Sequence, residues 1–115
     1  MCWVKKCFDS VLKKENDNAE FVCGPAEDLL PDIVKKHGQI DAVILDPPRK
    51  GCDETLLKCI LNTDIKKIVY ISCNPATLAR DISILSKKYI PSAVTPVDMF
   101  PHTSHVECVV RLTLK

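Results

Sequence analysis

One stretch constrains the fold of this chain more than any other, an apolar run at 68–71 that leads directly into Ser72-Cys73-Asn74-Pro75. The run is β-branched and aromatic and too short for a helix, which is typical of a buried strand. Asn74 is a good N-cap, and Pro75 suits the first position of a helix. Cys73 is therefore predicted between a strand and a helix N-terminus, where open α/β sheets bind ligands and where amide dipoles favour a thiolate. For a cysteine considered by itself, a small buried thiol is the simpler interpretation.

Helical and strand patterns alternate along the rest of the chain. The apolar spacing predicts helices over 4–15, 29–37, 53–61 and 75–88, and strands over 19–23, 41–45, 68–71, 94–99 and 106–114. Such alternation is typical of an α/β chain with a mainly parallel sheet. The last two strands are too close in sequence for a helical crossover, so we expect the final strand to pair antiparallel. Pro96 weakens its strand or places it at an edge.

Composition limits the classes of protein to consider. The chain has 115 residues, 46% of them apolar and 27% charged, with a net charge of +1. This length allows one domain at most, and so balanced a charge gives no global attraction to nucleic acid. RNA binding would need a local patch or parts of the protein beyond this sequence. No stretch resembles a membrane span or a signal peptide, so the sequence predicts a cytoplasmic protein without a membrane partner.

Seven cysteines are a high number for this length. The number is odd, and no Cys-x-x-Cys occurs. A disulfide framework or a zinc site is therefore not expected, and most of the cysteines are predicted to be reduced, buried thiols. His102, His105 and Glu107 lie close together in sequence, but no matching ligand motif accompanies them, and no metal is predicted.

Two carboxylates are candidates for chemistry. Asp46 follows the strand at 41–45 and precedes two prolines that stiffen the turn. A carboxylate held in this way can accept a hydrogen bond from an amine or a pyrimidine N–H, or it can simply cap the turn. Glu107 begins the last strand opposite its apolar face. It is either a solvated strand carboxylate or a general base.

Four segments occur in a recognisable order: Gly-Pro-Ala-Glu-Asp-Leu-Leu at 24–30, Asp-Pro-Pro-Arg-Lys-Gly at 46–51, Ile-Ser-Cys-Asn-Pro-Ala-Thr-Leu-Ala-Arg-Asp at 71–81, and Asp-Met-Phe-Pro-His-Thr-Ser-His-Val-Glu at 98–107. Together they closely resemble the RNA uracil-C5 methyltransferases that use S-adenosylmethionine. The resemblance covers nearly the whole chain. It implies that residues 1–115 form the C-terminal portion of a Rossmann-like class I methyltransferase domain, with ribosomal or transfer RNA as the substrate.

The resemblance also implies roles for individual residues. Cys73 matches the nucleophile that adds to C6 of uracil, Glu107 the base that removes the C5 proton, and Asp46 the aspartate between cofactor and target base. A covalent thiol adduct suits this reaction because C5 of uracil is a poor nucleophile. The remaining expectations are cofactor binding by Asp46, Pro25 and Ala26, and substrate binding by Arg49, Asn74 and His105. RNA cytosine-C5 enzymes carry a cysteine in the turn that here reads Asp46-Pro47-Pro48-Arg49.

The chain departs from the family's pattern at its front. Pro25 stands where the family usually has Asp or Asn, so an adenine contact has to come from backbone or a neighbour. The Gly-rich cofactor loop and the N-terminal RNA-binding modules are not in this sequence. In the family's sheet the first two strands lie between the third and the fourth, which correspond here to 19–23 and 41–45. Without those two strands, the strand at 19–23 is expected to pair elsewhere or to leave an exposed edge through which the chain self-associates. The alternative function is a non-catalytic remnant or self-associating module.

Several cationic side chains are candidate phosphate contacts. They are Arg49, Lys50, Arg80, Lys87 and Lys88. The same side chains are equally well interpreted as solvated surface charges.

Overall fold

The computed structural model describes residues 22–115. The helix predicted over 4–15 and most of the strand predicted over 19–23 lie outside these residues, and Val22 and Cys23 belong to no strand. The described elements are, in order, α1 (Ala26–His37), β1 (Ala42–Leu45), α2 (Glu54–Leu61), β2 (Lys67–Ser72), α3 (Pro75–Leu85), β3 (Tyr89–Pro91), β4 (Thr95–Val97) and β5 (Glu107–Leu114).

Local signals account for the ends of these helices. Asp53 caps α2 by accepting a hydrogen bond from Thr55 N, and Asn74 caps α3 by accepting one from Ala76 N. Gly38 ends α1 with a φ of 72° and a hydrogen bond to Val34 O. The cap at Asn74 was predicted. The helix predicted to reach Lys88 ends at Leu85, and 86–88 form a turn.

The sheet is mixed, with strand order β1-β2-β5-β3 and β4 also paired with β5. β1 and β2 are parallel, whereas β5 runs antiparallel to β2, β3 and β4. The α/β class and the antiparallel last strand are confirmed. The final strand thus lies inside the described sheet, with partners on both sides.

β3 was not predicted, and β4 is shorter than the strand predicted over 94–99. Both pair with β5, β3 along its C-terminal half and β4 along its N-terminal half. Ser92 spans the gap between them: its N–H donates to Arg111 O at 2.7 Å, and Arg111 N–H donates to Ser92 Oγ at 3.2 Å. β3 and β4 are therefore two parts of one interrupted ribbon along β5.

The three described helices all contribute to one buried core. Their apolar side chains join the inward residues of β2 and β5 in one buried cluster, which includes Leu57, Leu78, Ile68, Tyr70, Val110 and Leu112. The alternation predicted for the last strand is confirmed, because Cys108, Val110 and Leu112 are buried while Arg111 and Thr113 are exposed. On the opposite face Val69, Ile71 and Val109 are only partly buried, and Ile44 is 70% exposed. Within residues 22–115, none of the helices has the length and apolarity that crossing a membrane requires.

Candidate active site

The three residues predicted to carry chemistry meet at one edge of the sheet. Asp46 directly follows β1, Cys73 directly follows β2, and Glu107 is the first residue of β5. Parallel strands β1 and β2 end at the same edge, and antiparallel β5 begins there. Ser72 is opposite Cys108, so extending the pairing by one residue on each strand places Cys73 opposite Glu107.

Asp46 and Glu107 line the same open hollow of about 320 Å³. Its other lining residues are apolar: Ile71, Val97, Met99, Phe100 and Val109. The side chains of Met99 and Phe100 are strongly exposed, at 60% and 58%. The half-buried Cys73 is not one of the lining residues, but it follows the lining residue Ile71 by two positions. An apolar hollow bordered by two acidic residues suits a small planar ring with polar edges.

A second hollow, of about 450 Å³, lies at the carboxyl end of β1 and the start of α1. Asp46 lines it too, so this carboxylate stands between the two hollows. The predicted cofactor residues Pro25 and Ala26 are both in its wall. Its remaining polar and apolar lining includes Glu27, Asp53, Lys50, Ile44, Leu45, Pro47, Pro48 and Leu56. With three carboxylates and one lysine against apolar walls, the lining is negative on balance and fits a ligand that combines positive charge with an aromatic ring.

The predicted substrate residues are exposed or half-buried, and they differ in how many of their polar groups are hydrogen-bonded within the chain. Asn74 is engaged within the chain, because its Oδ1 caps α3 and its Nδ2 donates to Arg49 O at 3.1 Å. The Arg49 carbonyl also accepts from Thr77 Oγ1 at 3.0 Å, while the Arg49 side chain is exposed. His105 is exposed, and its N–H donates to Thr103 Oγ1 at 3.3 Å.

The turn before β5 is tightly folded. Thr103 donates from both N–H and Oγ1 to Phe100 O, at 3.2 and 2.7 Å. His102 has a φ of 68°, an uncommon backbone conformation for a residue with a side chain. This turn connects the exposed Phe100 to the segment that leads into Glu107. Over residues 22–115, no group of three or more His, Cys, Asp or Glu side chains is arranged to hold a metal ion.

Sequence reasoning missed a buried polar cluster where α3 meets the loop that precedes α2. The fully buried Asp81 carboxylate accepts hydrogen bonds from Tyr70 OH and from Cys52 N, the latter at 2.8 Å, and it pairs with Arg80. Burial raises the pKa of the Cys52 thiol to about 11. Burial and the bond to Asp81 raise the pKa of Tyr70, and the bond to Asp81 raises the pKa of Arg80. Helical spacing is the signal that could have revealed the cluster, since Asp81 falls on the same stripe as Leu78 and Leu85.

The described cysteines form no disulfide framework among themselves. Cys52 and Cys108 are buried, Cys59 and Cys73 are half-buried, and Cys23 is exposed. The expectation that most are buried therefore holds for only two of these five residues, because the others lie at helix surfaces, at a strand end or before α1.

Two of the cationic side chains considered for phosphate binding are used within the chain. Arg80 binds Asp81 and the carbonyls of Lys50 and Cys52, at 3.1 and 3.2 Å. Lys88 Nζ donates to the carbonyls of Leu61 and Thr63, at 2.9 and 2.8 Å, and also pairs with Asp64. Lys88 lies at the end of the sheet away from Cys73, so it is remote from the candidate site.

Comparison with known proteins gives one consistent family. A family model described as tRNA (uracil-5-)-methyltransferase matches residues 19–115. An uncharacterized RNA methyltransferase of Listeria monocytogenes is 54% identical over 99 residues, which are 86% of this chain and 22% of that protein. One from Bacillus anthracis is 53% identical over 98 residues, covering 85% and 21%. The chain thus spans about a fifth of the length of these relatives.

A solved structure supports the same relationship. The crystal structure of Pyrococcus abyssi tRNA (uracil-54, C5)-methyltransferase, in complex with S-adenosyl-L-homocysteine, has a TM-score of 0.59 and 46% sequence identity to this chain. The match covers 64% of this chain and 18% of that protein. The chain therefore belongs to the tRNA (uracil-5-)-methyltransferase family.

Proposed function

We propose that this chain is a catalytic fragment of an RNA (uracil-5-)-methyltransferase, which transfers the methyl group of S-adenosylmethionine to C5 of a uridine in ribosomal or transfer RNA. The observation that carries the proposal is the shared hollow of Asp46 and Glu107, with Cys73 opposite Glu107 in the extended strand register. Residues 1–115 then represent part of the methyltransferase domain, acting on RNA in the cytoplasm.

The hollow around Asp46, Pro25 and Ala26 fits the cofactor in chemical terms. S-adenosylmethionine carries a cationic sulfonium, an ammonium group and an adenine ring, and it supplies an electrophilic methyl group. The carboxylates of Glu27, Asp46 and Asp53 complement the positive charge, and the apolar wall complements the adenine. Pro25 has no polar side-chain group, so contacts to the adenine amine come from backbone or from a neighbouring carboxylate.

The side chains supply a nucleophile and a base. The Cys73 thiolate forms a bond to C6 of uracil, which turns C5 into an enolate-like carbon able to accept the methyl group. Glu107 then accepts the proton from C5. The electrons of that C–H bond restore the C5–C6 double bond, and the sulfur–C6 bond breaks to return the thiolate. The position of Asp46 between the hollows suits a carboxylate that accepts a hydrogen bond from the pyrimidine N–H and so orients the ring for methyl transfer to C5.

A covalent trap tests the proposal. The chain is mixed with S-adenosylmethionine and RNA containing 5-fluorouridine, whose C5 fluorine cannot leave as a proton does. We expect a denaturation-resistant protein–RNA adduct, detected by intact mass and lost in Cys73→Ala. Cys59→Ala is the matched control, because Cys59 is also half-buried but lies on α2.

The outcomes separate the two functions under consideration. An adduct that requires Cys73 and tolerates Cys59→Ala supports catalysis by this chain. An adduct that survives Cys73→Ala would disprove the assignment of the nucleophile. No adduct with the unaltered chain would favour the alternative, a non-catalytic or self-associating module.

A further inference from the structure

Hydrogen bonds outside both hollows join the loop after Asp46 to the helix after Cys73. Asn74 Nδ2 and Thr77 Oγ1 both donate to the carbonyl of Arg49, at 3.1 and 3.0 Å. Arg49 lies three residues after Asp46, and Asn74 directly follows Cys73. The first turn of α3 thus holds the proline turn that begins with Asp46.

One turn further along α3, Arg80 and Asp81 hold the next part of the same loop. Arg80 Nη2 donates to Lys50 O and Cys52 O, at 3.1 and 3.2 Å. Asp81 Oδ2 accepts from Cys52 N at 2.8 Å. These contacts, with those of Asn74 and Thr77 to Arg49, form what we call the loop clamp. It fixes backbone groups of three of the four residues from Arg49 to Cys52.

Burial makes the centre of the clamp rigid. Asp81 has 0% of its surface exposed, and its two oxygens are shared among Arg80, Tyr70 and Cys52. A buried carboxylate needs its cation and its donors to remain in place. Gly51, with a φ of 81°, packs directly against this ion pair, so the loop approaches α3 more closely than any residue with a Cβ would permit.

We propose that Arg80 and Asp81 are positioning residues of the uracil-methylating site, and that the loop clamp holds Asp46 at a fixed distance from the Cys73 turn. The inference rests on the proposed function. Asp46 borders both hollows, so a displacement of its loop misaligns cofactor and target base together. A shift of about 1 Å in such a site lowers the rate about 100-fold. Neither residue contacts a reacting atom in this scheme.

Arg80→Gln tests the clamp, since it removes the charge and the fork of donors while Arg80 itself is half exposed. Lys88→Gln is the matched control. Lys88 also joins two backbone carbonyls to a carboxylate, but at the far end of α3. Arg80→Lys is the conservative variant, which keeps the charge for Asp81 and loses the second branch toward the loop carbonyls.

Two measurements are made on each variant. Trypsin cleavage after Arg49 and Lys50, monitored by mass spectrometry, reports how often the loop opens. The rate of adduct formation with 5-fluorouridine RNA, measured against RNA concentration, separates the maximal rate from the half-saturating concentration. For Arg80→Gln we expect at least tenfold faster cleavage and at least tenfold lower maximal rate, with the half-saturating concentration within about twofold. Arg80→Lys should recover part of both losses, and Lys88→Gln should match the unaltered chain.

Failure of the clamp and failure of the proposed function give different results. If the unaltered chain forms an adduct and the two glutamine variants have the same rates, the positioning role is wrong and the function stands. Unchanged loop cleavage in Arg80→Gln would also overturn the clamp. If the unaltered chain forms no adduct, the proposed function fails and the positioning role fails with it.

Discussion

Gly51 and Asp81 are in such close contact that a Cβ placed on Gly51 would lie 2.7 Å from Asp81 Oδ2. The same Cβ would lie 2.6 Å from Nη2 of Arg80. Because Asp81 is buried and its oxygens are bonded on several sides, its carboxylate cannot simply move away. The closeness of the loop to α3 thus depends on the absence of a side chain at position 51.

Gly51→Ala is therefore expected to destabilise the fold more than Gly38→Ala. Both glycines have a positive φ, but nothing lies within 4 Å of a Cβ at Gly38. Gly38→Ala should lower the free energy of unfolding by about 1–3 kcal/mol, through backbone strain alone. Gly51→Ala should lose about 2 kcal/mol more, through disturbance of a buried ion pair. Urea unfolding of both variants measures the difference, and equal losses would contradict the packing described for Gly51.

Tyr70→Phe should cost more stability than Tyr89→Phe. Both tyrosines are fully buried, but Tyr70 OH donates to the Asp81 carboxylate, whereas Tyr89 OH reaches Ile60 O only at 3.4 Å. A hydrogen bond to a charged group is worth about 1.5–3 kcal/mol, and a long neutral one less than about 1 kcal/mol. Chemical denaturation at neutral pH measures the two losses of stability. A larger loss for Tyr89→Phe would contradict the prediction.

Stability should fall in alkaline solution, in part through Cys52. Its pKa is about 11 in the fold, against 9.0 for an ordinary thiol. Above pH 9 the unfolded chain therefore loses this proton while the folded chain keeps it, so unfolding becomes more favourable as the pH rises to 11. The loss reaches about 2 kcal/mol at pH 11. Unfolding free energies from pH 8 to 11 should decline less steeply in Cys52→Ala, and parallel curves would refute this contribution.

Glu107→Gln should separate addition from proton removal. The amide cannot accept the C5 proton, while the addition of Cys73 to C6 does not need that base. On RNA with ordinary uridine we expect turnover to fall at least about 100-fold and a methylated covalent adduct to accumulate. Intact mass detects this adduct. Glu54→Gln is the control, because Glu54 lies on α2 in a solvent-exposed pair with Lys58. Loss of turnover without any adduct would assign Glu107 a different role.

Self-association through the outer edge of β1 is a separate expectation. Among the described strands, β1 pairs with β2 alone, and Ile44 within it is 70% exposed. Open apolar strand edges favour pairing between copies. Light scattering should therefore show a species larger than the monomer, shifted toward monomer by Ile44→Lys but not by Val94→Lys, which alters an exposed residue outside the strands. A monomer in the unaltered chain would contradict this expectation.

The sequence predicted elements whose signals are local. The cap at Asn74 and the alternation of the last strand depend on residue type and short spacing, and both are present in the structure. β3 lacked such a signal because it follows α3 closely and contains Pro91. It exists because Tyr89 is buried in the core and its backbone pairs with Leu114. That partner lies far along the chain, beyond the reach of local patterns.

The same distinction applies to the candidate site. The motifs identified Asp46, Cys73 and Glu107, and the ends of three strands bring these positions to one edge. The loop clamp depends on contacts across about 30 residues, such as that between Arg80 and Lys50. In the sequence Arg80 was only one of several surface cations. The role of its partner Asp81 is evident only in the structure, where α3 places this carboxylate in the core.

The place of β5 has a consequence for the order of events during synthesis. β5 follows every other described strand in the chain, yet β2, β3 and β4 all pair with it. Until 107–114 are available, β3 and β4 lack their partner among the described strands, and so does the side of β2 that pairs with β5. Glu107 enters the site in the same step that closes the sheet. A nascent chain therefore brings Glu107, its candidate base, into place only when the sheet is completed, after 107–114 have left the ribosome.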